Sequence, residues 1–223
     1  MQQPNMQYQQ PNLPYQQPYM QQPPYPPQAG MQFFVQHQPN YSRLELLARV
    51  LFGWLYIGIP HGIALMIMSL ISGLVQFIAF FAVLFMGRYP DGLFNFQLGY
   101  MAWQMRVQAA YWNLVDGYPE FGLEPAGQKV SLLMANPQSL SRIMLLVRAF
   151  FGWLYIGIPH GIALFFRYII SAFLVFIAFW IVLVTGDYPK GMHDFNVGTL
   201  RWATRVQLYT NFMTDEYPPF SGE

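Results

Sequence analysis

The chain has 223 residues, of which 54% are hydrophobic and 9% charged, where an ordinary soluble domain carries about a quarter charged residues. Its net charge of +1 gives nucleic acid no general field to bind. The absence of cysteine excludes disulfide scaffolds, thiol nucleophiles and cysteine-ligated zinc or iron–sulfur centres.

Residues 1–40 differ from all that follows, with 13 Gln, 9 Pro and 4 Tyr but no Asp, Glu, Lys or Arg. Proline removes backbone donors and glutamine does not drive burial, so the composition predicts an extended, disordered tail. Neither a basic n-region nor an apolar h-region of a secretory signal is read there. The Pro-Tyr-rich repeats read as a solvated spacer, with docking on a protein partner or self-association through stacked Tyr and Gln as the functional alternatives.

The remainder is a duplication. Residues 41–122 align with 140–221 at an offset of 99 with 41 identities in 82 pairs and no gap. Phe52 through Leu65 recurs unchanged at 151–164, so some shared constraint holds that block. The expected organisation is a tail (1–40), membrane repeat 1 (41–122), a linker (123–139) and membrane repeat 2 (140–223).

Between Arg49 and Arg88 lie 38 residues without formal charge, and between Arg148 and Asp187 only Arg167 is charged. One bilayer crossing takes about 20 apolar residues, so each run predicts a hairpin. The expected pairs are 44–66 with 69–86 and 143–166 with 169–185. Ser42 followed by Glu45 reads as a capping box. Arg49 and Arg148 would snorkel to the headgroups, and Arg167 would sit at a hairpin tip in water. The competing reading is one long tilted helix with a re-entrant kink at Pro60-His61-Gly62. With hairpins, ten of the eleven basic residues share one face, and the positive-inside rule makes that face, and both termini, cytoplasmic.

Each run is followed by a proline turn, Tyr89-Pro90-Asp91-Gly92 or Tyr188-Pro189-Lys190-Gly191. Segments 93–115 and 192–214 then read as amphipathic interfacial helices, with Trp103 and Trp202 at the headgroup level. The fold class expected is an all-α integral membrane protein. It has two tandem helical-hairpin repeats, each with two transmembrane helices and one interfacial amphipathic helix.

These motifs resemble a bacterial membrane family known as a domain of unknown function (family 4389). The residues carrying the resemblance in copy one are Ile59-Pro60-His61, Gly87-Arg88-Tyr89-Pro90, Trp103, Arg106 and Asp116-Gly117-Tyr118-Pro119. Copy two offers Ile158-Pro159-His160, Tyr188-Pro189, Trp202, Arg205 and Asp215-Glu216-Tyr217-Pro218-Pro219-Phe220, with Asp187 replacing the arginine and His193 a phenylalanine. The resemblance implies a bacterial cytoplasmic (inner) membrane, multi-pass, and brings no activity.

His61 and His160 each follow a proline that frees a carbonyl one turn earlier. They read as kink-stabilising residues, with proton relay, metal or haem ligation as the competing chemistry. The Gly58–Gly62 and Gly157–Gly161 spacings suit close helix packing between repeats or protomers. Arg106 with Asp116, and Arg205 with Asp215, recur ten apart as ion pairs or as a headgroup or partner site. No nucleotide loop, nucleophile elbow or zinc-protease motif occurs.

The expectation is therefore a non-enzymatic membrane scaffold with no cofactor, metal or catalytic residue. Its partners would be the lipid bilayer, a protein held by the tail and a second copy of the chain, and not nucleic acid. The alternatives are a small transporter or channel built from parallel repeats, and a haem or metal membrane protein using His61 and His160.

Overall fold

The computed structural model describes residues 30–223. Strand β1 (Gln32–Val35) leads into helix α1 (Arg43–Met86), then α2 (Asp91–Tyr111), β2 (Val130–Leu133), α3 (Arg142–Thr185) and α4 (Lys190–Thr210). α1 and α3 each run 44 residues and are long and apolar enough to cross a membrane. Only 22% and 17% of their most apolar windows are buried, unlike the core helix of a soluble protein.

The helical hairpins are corrected by the structure. Residues 66–69 and 165–168 are helical, without a turn. Neither segment contains Gly or Pro to stop a helix, so propagation continues until Gly87 and Gly186. Those two glycines adopt φ values of 72° and 79° and close α1 and α3 in the left-handed region. The long-helix alternative matches better, but the irregularity takes the form of one π-helical turn, Trp54–Gly58 in α1 and Trp153–Gly157 in α3, just before the proline.

Each long helix buries a single stripe. In α1 it passes from Leu46 through Ile57 and His61 to Ala79 and Val83. Elsewhere the surface is apolar and open, as at Leu70 (73%) and Phe85 (72%). At the helix starts Ser42 and Ser141 accept from the amides of Glu45 and Met144. The capping box is half formed, since the Glu45 carboxylate turns to the Gly117 amide and Asp116 takes the Ser42 amide.

α2 and α4 depart from the interfacial reading. They pack back along α1 and α3, burying Phe94 and Met101 or Val197 and Leu200. Both start at the proline of the Tyr-Pro step, so Pro90 and Pro189 cap helices and do not sit inside the expected turns.

β1 and β2 pair antiparallel, Phe33 opposite Leu132. These residues are 99 apart, so the strands are equivalent elements of the two copies. The copies are thus related by an approximate two-fold axis. Thr204 donates to the sulfur of Met105, its own equivalent, at 3.2 Å on the same axis. Off the axis, contacts come in pairs. The Tyr41 amide bonds the Gly186 carbonyl (2.8 Å) as Leu140 bonds Gly87 (2.7 Å). Arg43 donates to the Val184 carbonyl (2.9 Å) as Arg142 donates to Phe85 (3.0 Å). Each copy therefore places a cation at the negative end of the other copy's long helix.

The tail boundary shifts accordingly: Phe33 and Val35 are buried, so residues 30–40 belong to the folded body and part of the linker is strand. The expectations for residues 1–29 lie outside the described residues. A chain starting at residue 41 should unfold well below one starting at residue 30. Loss of Phe33 and Val35 burial costs on the order of 3 kcal/mol, which thermal denaturation in detergent would register.

Candidate functional site

The duplicated feature with the most polar detail surrounds the Ile-Pro-His step. Pro60 cannot donate to the carbonyl four residues back, that of Tyr56. The Tyr118 hydroxyl donates there instead, at 3.1 Å. In copy two Tyr217 serves the Tyr155 carbonyl below Pro159, at 3.2 Å. The tyrosine of the Asp-x-Tyr-Pro motif thus completes the helix that the proline breaks.

His61 does not meet the freed carbonyl, contrary to the sequence reading. Its Nδ1 accepts from Trp103 Nε1 at 2.9 Å, and His160 accepts from Trp202 at 3.0 Å. Indole nitrogen only donates, so Nδ1 is unprotonated and the neutral ring carries its proton on Nε2. Each ring stacks on a phenylalanine, Phe121 at 3.8 Å and Phe220 at 4.0 Å between centroids. Nε2 of neither ring has a hydrogen-bond partner among the described residues. Both imidazoles are fully buried, beneath Phe121 and Phe220.

Trp103 and Trp202 are each 5% exposed and lie inside the body, away from the headgroup level expected for them. Arg49 and Arg148 do not snorkel either. Arg49 donates to Asn113 Oδ1 and the Val115 carbonyl, both at 3.0 Å, and to Gly117. Arg148 binds the carbonyls of Tyr209 and Thr214 and pairs with Asp215 at 2.5 Å. Each arginine holds the end of the returning helix against the start of the long one. Arg167 is not at a tip: it lies within α3, donating to Thr199 (2.9 Å) and stacking on Phe195 at 4.4 Å.

Arg106 and Asp116 form no ion pair among the described residues, nor do Arg205 and Asp215. Arg106 spends its donors on the carbonyls of Glu120, Gly122 and Glu124, pinning the loop that runs back along α2. Arg205 makes one long bond to Ser221, at 3.4 Å. Open cavities of about 350 and 170 Å³ flank Arg106 and Arg205. Burial depresses both guanidinium groups below their ordinary range. Asp116 and Asp215 accept the amides of Ser42 (2.7 Å) and Ser141 (2.5 Å), bracing the helix starts. Burial raises Asp116, while the Ser42 hydrogen bond opposes that shift.

The glycine spacing does not pack one repeat on the other. Gly62 and Gly161 have nothing within 4 Å of an added Cβ, whereas Gly58 lies against the Tyr111 hydroxyl. The glycines that matter for close approach are Gly99 and Gly198, which meet Leu123 and Gly222 of the return loops.

Sequence reading missed one cluster, His37, Tyr41, Tyr188 and His193, because its members come from distant segments. His37 bonds the Tyr188 carbonyl at 2.7 Å, the place taken by Asn136 on Tyr89 in the other copy. His193 meets the Leu114 carbonyl at 3.2 Å, its Nδ1 lies 3.8 Å from Asp194, and its ring lies 4.9 Å from His37. Burial pushes Tyr41 up to about 12. Burial first, and His37 second, hold His193 below 6.5.

These features define a helical protein built of two interlocked copies, each with one long apolar helix and its own lock of a buried His–Trp pair and a half-exposed Tyr. The family model described as Domain of unknown function (DUF4389) matches residues 44–122 and again 142–222. The chain belongs to that family, in two tandem copies. No curated protein and no solved structure matches it.

Two outcomes test these roles. Tyr118→Phe and Tyr217→Phe should each destabilise the protein by about 1 kcal/mol, because the carbonyl that proline cannot serve loses the hydroxyl that donates to it; thermal unfolding would read the loss. Because its folded pKa is depressed, His193 supports the fold fully above 6.5, and that support falls away as pH drops through 6.5 toward the folded value. His193→Phe, which installs the copy-one residue Phe94, should flatten the acid limb of a stability–pH profile.

Proposed function

We propose that the protein is a non-enzymatic scaffold of the bacterial cytoplasmic membrane. The observation that carries this reading is the contrast between the surface and interior of the long helices. Outside one buried stripe the surface of each is apolar and open, while many of the buried polar side chains are spent on internal bonds. The imidazoles accept from tryptophans, the tyrosines serve carbonyls, and Arg49, Arg106 and Arg148 bind chain ends. Such an interior supports shape, and among the described residues no carboxylate accompanies the unpartnered Nε2 atoms of His61 and His160 to make a relay.

In this reading the first partner is lipid. The Gln/Pro/Tyr-rich tail carries the contact to a protein partner, and a second copy packs at the open Gly62 and Gly161 positions. Nucleic acid is not a partner. In this reading both termini lie on the cytoplasmic side, beside the anionic leaflet.

Membrane residence is tested by extraction. The full chain should stay with membranes through high salt and alkaline carbonate and dissolve only in detergent. Release by carbonate would contradict the reading. For the tail, a chain beginning at residue 30 should fold normally but lose the proteins that co-purify with the full chain, and unchanged co-purification would count against a recruiting tail.

A further inference from the structure

The approximate two-fold axis restricts how the molecule can sit in lipid. The on-axis contacts are Phe33 with Leu132 and Met105 with Thr204. The start of α1 touches the end of α3 through Tyr41–Gly186 and Arg43–Val184. The axis converts the end of α3 into the end of α1. If it stands along the membrane normal, equivalent points share a depth, so both ends of each long helix lie at one depth. If it lies in the membrane plane, each long helix crosses, the copies are inverted, and the on-axis elements sit at mid-bilayer.

Charge decides between these. Arg106 and Arg205 directly follow the on-axis residues, Lys129 directly precedes β2, and Glu120 and Glu124 are exposed on the loop bound by Arg106. At mid-bilayter depth such charges cost at least about 2.5 kcal/mol apiece on the gentlest scale. Length agrees. The 38 uncharged residues of the first run would reach about 57 Å as helix, roughly twice a hydrocarbon core of about 30 Å. Even a tilt of about 40° leaves a large excess. Arg167, midway along α3, also points inward to Thr199 and Phe195 of α4 rather than outward to lipid.

Resting on the membrane reading above, we propose that the axis stands along the membrane normal and that the apolar faces of α1 and α3 occupy one leaflet. Each long helix enters and leaves the hydrocarbon at the same surface, and no segment among the described residues reaches the far side. The partner of this surface is a single leaflet, with the β1–β2 pair and its charged loops standing in water above it.

The chain contains no cysteine, so single replacements report cleanly. Asn40→Cys, Arg88→Cys, Ser139→Cys and Asp187→Cys alter exposed positions at the four ends of the long helices. In sealed inner-membrane vesicles of one orientation, an impermeant maleimide should label all four or none, and inverting the vesicles should reverse the result. Labelling of Asn40 and Asp187 from one side and of Arg88 and Ser139 from the other would overturn the proposal in favour of inverted spans. Labelling of Ile67→Cys from the face opposite the four ends would overturn it as well. Carbonate extraction of the same variants separates the two claims, because release from the vesicles would defeat membrane residence itself.

Discussion

A proline inside a helix leaves the carbonyl four residues back without its helical donor. The fold of each copy is organised around that deficit. The hydroxyl that meets it, Tyr118 or Tyr217, lies beyond the end of the returning helix, so the chain must fold back before the long helix is whole. The adjacent imidazole then binds the returning helix through its tryptophan and stacks on the phenylalanine of the same loop. This explains the uneven identity of the copies. Pro60, His61, Trp103, Tyr118 and Phe121 are all matched in copy two, while exposed apolar positions exchange freely, as Leu74 for Phe173 or Phe85 for Val184.

The second organising contact is reciprocal. Each copy starts its long helix against the end of the other's and supplies the arginine, Arg43 or Arg142, that caps it. Self-complementary pairing of this kind is the geometry of a symmetric dimer, here joined into one chain. Copy two has since diverged at its centre. Arg167 stands where copy one has Met68 and is held by Thr199. His193 stands where Phe94 packs, which introduces a titratable group at the junction with residue 37.

The duplication, the helix starts at Ser42 and Ser141, the return helices and the motif residues were legible in the sequence because local rules govern them. The hairpins were misread because length, and a water-exposed place for Arg167, were taken to imply two crossings, whereas Arg167 is held by Thr199. The missing Gly or Pro at 66–69 was the local signal against a turn, and the capping glycines at 87 and 186 were the signal for where the helices stop. Strands β1 and β2 were invisible because residues 30–41 and 129–140 share no identity at the duplication offset, although they occupy equivalent places. Trp103 and Arg49 were assigned to the headgroup zone by a rule for isolated spans, and here tertiary partners override it. The imidazole's role was half legible: proline predicted an unsatisfied carbonyl, but its partner was a tyrosine more than fifty residues away.

The central claim is that the His61 and His160 imidazoles are neutral acceptors locked by tryptophan. Nitrogen-15 magnetic resonance of histidine-labelled protein in lipid tests it most directly, because the two ring nitrogens resonate apart according to protonation. The account requires unprotonated Nδ1 and protonated Nε2 at both sites, with Nδ1 coupled to an indole N–H. Protonated Nδ1 at either site would contradict it.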